Sequence, residues 1–284
     1  MCDASVRLQD AIRFAEKAQR AGDGCENGGA VENASSRTAP APLNAGWTAL
    51  HEARWGAAGA LFEEAVAVEA TPEAFEGLSW AAWWLDDAAA VFQARERAYR
   101  LYKDADDVAG AARMATWLAC DELDFHGALP VANGWLARAH RLLDPVELSP
   151  GHGWVAFFDG YLAHASGQTA KAAELGRRSA ELGRRFAAPD LEMLGLALEG
   201  AALVASAEVE RGMRCLDEAT AAALQGEAEI PISGAWACCF LVSACTAVRD
   251  YERALAPARP SSRSDSCGKW PKTARSTGSP DMSC

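Results

Sequence analysis

Ala58, Val91, Ala132, Ala172, Gly212 and Ala254 follow one another at intervals of 33, 41, 40, 40 and 42 residues. Twelve residues before each stand Gly46, Ser79, Cys120, Gly160, Gly200 and Val242, small in five of the six cases. Seven residues after the first five stand Ala65, Ala98, Ala139, Ser179 and Ala219, all small. Two antiparallel helices approach closely only where their side chains are small. A requirement that returns at this near-constant interval is that of a stacked helix–turn–helix repeat. Each hairpin buries its apolar face against its neighbours, so such a chain grows by addition rather than by closing a single globule.

Composition agrees with a helical array. Alanine supplies 63 of 284 residues, and with Leu, Glu and Arg it favours helix throughout, while Val and Ile are too sparse for a large sheet. Arg outnumbers Lys 22 to 5, which with the alanine richness points to a high-GC bacterial genome. The net charge of −12 offers no basic stripe for nucleic acid and little attraction to anionic lipid. Nine cysteines show no CxxC and no metal or disulfide spacing, which reads as small apolar residues in a reducing cytoplasm. The N-terminus lacks the basic start and apolar core of a signal peptide, and no apolar run is long enough to span a membrane. The expected location is cytoplasmic.

Four segments follow from the text of the chain. Residues 4–20 read as one amphipathic helix, so 1–20 is an N-terminal helical segment; 21–43, rich in Gly, Asn, Ser and Pro, is a flexible linker. From 44 to 256 the sequence is helical with regular punctuation. The expected pairs are 44–54 with 56–70, 73–84 with 86–103, 107–124 with 129–143, 151–165 with 168–185, 190–206 with 208–225, and 233–248 with a truncated partner from 250. Thr71-Pro72-Glu73 has the form of a helix start, and Pro130, Pro150 and Pro189 mark three more. Gly127 and Gly167 stand five residues before a signature alanine, where a tight turn needs a permissive backbone. Residues 257–284 hold seven Ser and four Pro but two Ala, and read as a disordered tail of net charge +3. That tail leaves the sixth hairpin without its second helix, as a frame shift or premature stop in a longer ancestor would. The uncapped end around Phe240 and Leu241 is then a surface for self-association.

The hairpin pattern resembles the tetratricopeptide repeat. Gly200…Gly212-x3-Leu216-x2-Ala219 carries the likeness best, and Ala58-x3-Phe62-x2-Ala65 and Ala132-x3-Leu136-x2-Ala139 repeat its second-helix signature. The chain departs from that pattern in three spacings near 40, in Arg95 and Gly176 where a large apolar residue is usual, and in Asp159 where Leu is usual. Longer phrases resemble the helical-repeat region of actinobacterial LuxR-type transcriptional regulators. They are Glu76-Gly77-Leu78-Ser79-Trp80 through Asp87, Ala94-Arg95-Glu96-Arg97-Ala98-Tyr99, Pro189-Asp190-Leu191-Glu192-Met193-Leu194-Gly195 and Asp217-Glu218-Ala219-Thr220. The resemblances imply an all-α, right-handed α-solenoid serving as a regulator's sensing or assembly region. In that family a C-terminal helix-turn-helix reads DNA, and the tail here does not resemble one.

No catalytic constellation emerges from the residues. A phosphate-binding Gly-x4-Gly-Lys-Ser/Thr loop, His-Glu-x-x-His and Gly-x-Ser-x-Gly are all absent, and the five histidines never pair at i,i+4. Asp86/Asp87 and Asp106/Asp107 fit helix ends better than acid–base work. The expectation is a non-enzyme without cofactor or metal.

The tetratricopeptide register implies a concave groove lined by Trp47, Trp80, Trp84, Trp117, Asp121, Asp124, Phe157, Tyr161 and His164. Aromatics at these positions either grip a partner or fill the seams between hairpins. An aromatic groove carrying acids suits a protein segment or small molecule with positive charge. Two functions follow from this. One is a non-enzymatic scaffold that binds protein or ligand. The other is a DNA-binding regulator whose recognition module is missing from this chain or supplied outside it.

Overall fold

The computed structural model of the chain describes residues 41–250 and Arg253, and every regular element among them is an α-helix. The helices are α1 (Ala41–His51), α2 (Trp55–Val68), α3 (Pro72–Trp84), α4 (Ala88–Asp104), α5 (Val108–His126), α6 (Leu129–Leu143), α7 (Pro150–Ala165), α8 (Thr169–Phe186), α9 (Pro189–Ala205), α10 (Val209–Leu224) and α11 (Pro231–Val248). The readings for residues 1–40, for the partner of the last hairpin and for the tail 257–284 lie outside the described residues.

Local chemistry sets the helix ends. The Thr71 hydroxyl accepts from the Ala74 N–H at 3.3 Å, with Pro72 opening α3. Asp87 and Asp107 cap α4 and α5 in the same way, accepting from the N–H groups of Ala90 and Gly110 at 3.0 and 2.8 Å. Pro130, Pro150 and Pro189 each stand in a first turn, where a missing N–H leaves no bond unmade. Gly127 and Gly167 take the left-handed turn conformation expected of them, at φ +63° and +75°. The linker boundary needs correction: α1 already runs from Ala41, with Pro42 tolerated in its first turn and Leu43 buried.

Consecutive helices pack against each other throughout. A second set of contacts joins alternate helices, α1 with α3, α5 with α7, α7 with α9 and α9 with α11. The recurring small residues sit at the first kind of seam. Ala58, Val91, Ala132, Ala172 and Gly212 are all buried, and so are the five residues seven positions on. One apolar cluster extends from Leu43 on α1 to Cys239 on α11.

The last helix corrects the expectation of an uncovered end at Phe240 and Leu241. Leu241 is buried in a second apolar cluster with Leu216 and Ala219, and Phe240 packs half-buried against Tyr161 and His164. The two residues cover neighbours rather than forming an open end. Asp190, at the start of α9, holds the entry to α11 by accepting from the N–H groups of Glu229 and Ile230 at 3.2 and 3.1 Å. Among the described residues, no helix is long and apolar enough to cross a membrane.

Candidate functional site

All nine residues of the expected groove stand on α1, α3, α5 and α7, and the structure brings most of them together. Trp80 meets Trp117 edge-on at 4.7 Å, and Trp117 in turn meets Phe158 at 5.1 Å and Trp236 at 6.1 Å. Phe157 and Tyr161 both lie roughly parallel to Trp236, at 5.9 and 5.8 Å. Trp47 stands apart against Phe62, and Trp84 stacks on Trp55 at 4.5 Å, away from the others.

Four of the nine cannot line an open groove. Trp80, Trp117, Asp121 and Phe157 are buried, the last two completely: Arg95 from α4 covers Trp80 and meets Asp121, and α11 brings Trp236 onto Trp117 and Phe157. These rings fill the seam between helices instead of waiting for a partner. Asp124, Tyr161 and His164 remain half-buried and form the accessible rim, with Phe240 beside them.

Trp236 and Arg95 are the residues of this seam that sequence reasoning missed, and each had a signal. Trp117-x-x-Cys120 and Phe157-x-x-Gly160 recur as Trp236-x-x-Cys239. The series of small residues therefore continues at Cys239 rather than at Val242, its one large member. Arg95 was visible as a departure from the repeat pattern. Its guanidinium lies over Trp80 at 4.6 Å and Trp117 at 5.4 Å, and its Nη1 approaches Asp121 Oδ2 at 2.9 Å with both side chains essentially inaccessible. Arg95 Nε donates to Ser79 Oγ at 3.3 Å. The ion pair is a close charge contact without hydrogen-bond alignment, since neither terminal nitrogen of Arg95 nor either oxygen of Asp121 makes an aligned bond.

Burial governs the acids here. Desolvation pushes the Asp121 carboxyl up to about 7 against the pull of Arg95. Asp124 is pushed up to about 6 by burial, opposed by the Cys120 thiol and Tyr161 hydroxyl that donate to it at 3.3 and 3.2 Å. Burial also raises the Cys120 thiol well above its usual range, which keeps it protonated and a poor nucleophile. His164 is lowered by burial. A second polar cluster ties α3, α4 and α5. Glu76 accepts from Arg113 Nε and Nη2 at 2.8 and 2.7 Å and from the Tyr102 hydroxyl at 2.7 Å.

These shifts set a pH dependence of stability. From about pH 4 the folded chain retains protons that the unfolded chain releases, on Asp124 up to about 6 and on Asp121 up to about 7, so stability falls as pH rises through that window. His140, raised by its hydrogen bond to Asp159, acts in the same sense: its contribution is present below 6.5 and lost as pH rises through the folded value. His164 opposes them, because its contribution is complete above 6.5 and lost as pH falls. Thermal scans should give a higher melting temperature at about pH 5.5 than at about pH 7.5, with a shallower slope in Asp124→Asn. A wild-type melting temperature that climbs across this interval would contradict the assignment.

Two grooves lie beside α6, away from the aromatic seam. One, of about 460 Å³, is lined by Tyr99, Lys103, Arg138, Arg141 and Leu142. The other, of about 660 Å³, opens between α6, α7 and α8 and contains His140, bonded through Nε2 to Asp159 at 2.6 Å. Among the described residues, no group of three or more His, Cys, Asp or Glu side chains is placed to hold a metal ion. No family model matches the sequence, and no curated protein matches it.

Proposed function

We propose that residues 44–256 act as a non-enzymatic α-solenoid of tetratricopeptide-like hairpins, the sensing or assembly region of a LuxR-type regulator, binding a protein segment or small ligand on the face built by α5, α7 and α11. The observation that carries this reading is the double pattern of contacts, hairpin seams at the recurring small residues and a second layer joining alternate helices. That arrangement is how stacked repeats expose one continuous surface for recognition. The groups that reach that surface are the rim residues Asp124, Tyr161 and His164. A hydroxyl held by a carboxylate, next to a neutral imidazole and the Phe240 ring, suits hydrogen bonding and stacking more than bond-making. The working location in this reading is the cytoplasm.

The test is capture by the full chain and by Tyr161→Ala from extracts of the source cells, with a thermal scan of each. The expected result is a defined partner or metabolite retained by wild type and lost by Tyr161→Ala, whose melting temperature stays within a few degrees. Retention unchanged in a variant that melts much lower would overturn the reading and make Tyr161 a packing residue.

A further inference from the structure

Composition hides how charge is distributed between the two sets of alternate helices. The helices α4, α6 and α8 carry eleven Lys and Arg against four Asp and Glu, whereas α3, α5 and α7 carry one Arg against six acids. With Arg95 buried, the other ten still give a chain of net charge −12 a basic flank in its middle repeats.

Helical periodicity explains how α6 serves both grooves. Trp135, Arg138 and Leu142 recur at spacings of three and four and share the flank toward α4, where Trp135 meets Tyr99 edge-on at 5.3 Å. His140 and Asp144 share the flank toward α8, and Arg141 stands between the two sets and lines both grooves. On α7 the groove takes Val155 and Asp159, across the helix from the Phe157 and Tyr161 rings that meet Trp236.

Several cations here lack an acidic partner. Arg100, Arg177 and Arg184 are paired with Glu96, Glu181 and Glu192. Lys103, Arg138, Arg141 and Arg178 make no ion pair among the described residues. Instead Arg138 lies over the Trp135 ring at 4.4 Å and Lys103 near the Tyr99 ring at 5.8 Å. An apolar and aromatic floor edged by unpaired cations is complementary to a surface that alternates apolar and acidic groups.

We propose that the two grooves flanking α6 form one docking surface for an acidic amphipathic helix of a partner protein. Its apolar side chains would rest on Tyr99, Trp135 and Leu142, and its carboxylates would reach Arg138, Arg141 and Arg178. A sugar–phosphate backbone fits less well, because it meets the same cations but offers no apolar side chains to rest on Tyr99, Trp135 and Leu142. The proposal places binding on a different face from the rim of Tyr161 and stands or falls separately from it.

The experiment uses the full chain and a fluorescein-labelled synthetic helix of about 18 residues, with Leu and Phe on one face and Glu on the other. Anisotropy titrations should saturate, weaken with added salt, and weaken by about tenfold or more in Arg138→Glu/Arg141→Glu. Both arginines are exposed, so the melting temperature should hold; Arg138→Gln/Arg141→Gln provides a milder second variant with a smaller loss. A scrambled peptide of the same composition should bind less well, and a short duplex DNA more weakly still. Absence of saturation, equal binding by the scrambled peptide or by the charge-reversed chain, or tighter binding of the duplex would each overturn the proposal. Tyr161→Ala should leave the titration unchanged.

Discussion

At about pH 8.5, where Asp121 is ionised, Asp121→Ala will lower the unfolding free energy by about 3–5 kcal/mol, the loss expected when one partner of a buried ion pair is removed. Arg95 would be left charged between two indole rings, with Ser79 Oγ as its one aligned hydrogen-bond partner. The pair itself stabilises little. Its 2.9 Å contact lacks hydrogen-bond alignment, and the desolvation of both charges offsets most of the attraction. The double variant Arg95→Met/Asp121→Leu should therefore recover most of the loss and lie within about 1–2 kcal/mol of wild type, on either side. Urea unfolding followed by tryptophan fluorescence reads both, since Trp80 and Trp117 report on the site directly. A loss under about 1 kcal/mol for Asp121→Ala would show that water reaches the pair in solution.

The helices were legible in the sequence because their signals are local. Small residues at a fixed interval, Pro in first turns and Asp or Thr caps each act within a few residues, and the expected helix positions differ from the observed ones by only a few residues. The site was legible only in part, because burial is decided by partners far along the chain. Phe157 and Tyr161 stand one turn apart on α7 and both meet Trp236 from α11, yet Phe157 is sealed inside and Tyr161 stays at the rim. The departures from the repeat pattern turned out to be informative. Arg95 marks the buried ion pair, Asp159 holds His140 beside the outer groove, and Gly176 lies on the seam where α8 and α9 approach backbone to backbone. The basic flank was invisible for a different reason. Net charge averages over helices that the fold turns to opposite sides.

The same substitution, glycine to alanine inside a helix, should stabilise the protein at one position and destabilise it at another. Gly134 lies exposed within α6, and a Cβ built there meets nothing within 4 Å. Gly134→Ala should gain about 0.5–1 kcal/mol, the ordinary difference in helix propensity. Gly195 on α9 faces α8, where a Cβ would lie 2.4 Å from the Ala180 nitrogen and 2.6 Å from the Gly176 carbonyl oxygen. Those are backbone atoms of a rigid helix, which cannot rotate away as a side chain could. The propensity gain remains, but separating α8 from α9 strips contact along a seam that also carries Gly176 and Gly183, so Gly195→Ala should cost about 1–3 kcal/mol net. Gly195→Val, with two further methyl groups against the same backbone, should cost more and populate an expanded or unfolded state at 37 °C, a temperature at which about 5 kcal/mol separates many folded domains from unfolding. Paired thermal scans of Gly134→Ala and Gly195→Ala give the readout as two shifts of opposite sign. If Gly195→Ala also raised the melting temperature, α8 and α9 could not be packed backbone to backbone, and the tightest seam of the array would have to lie elsewhere.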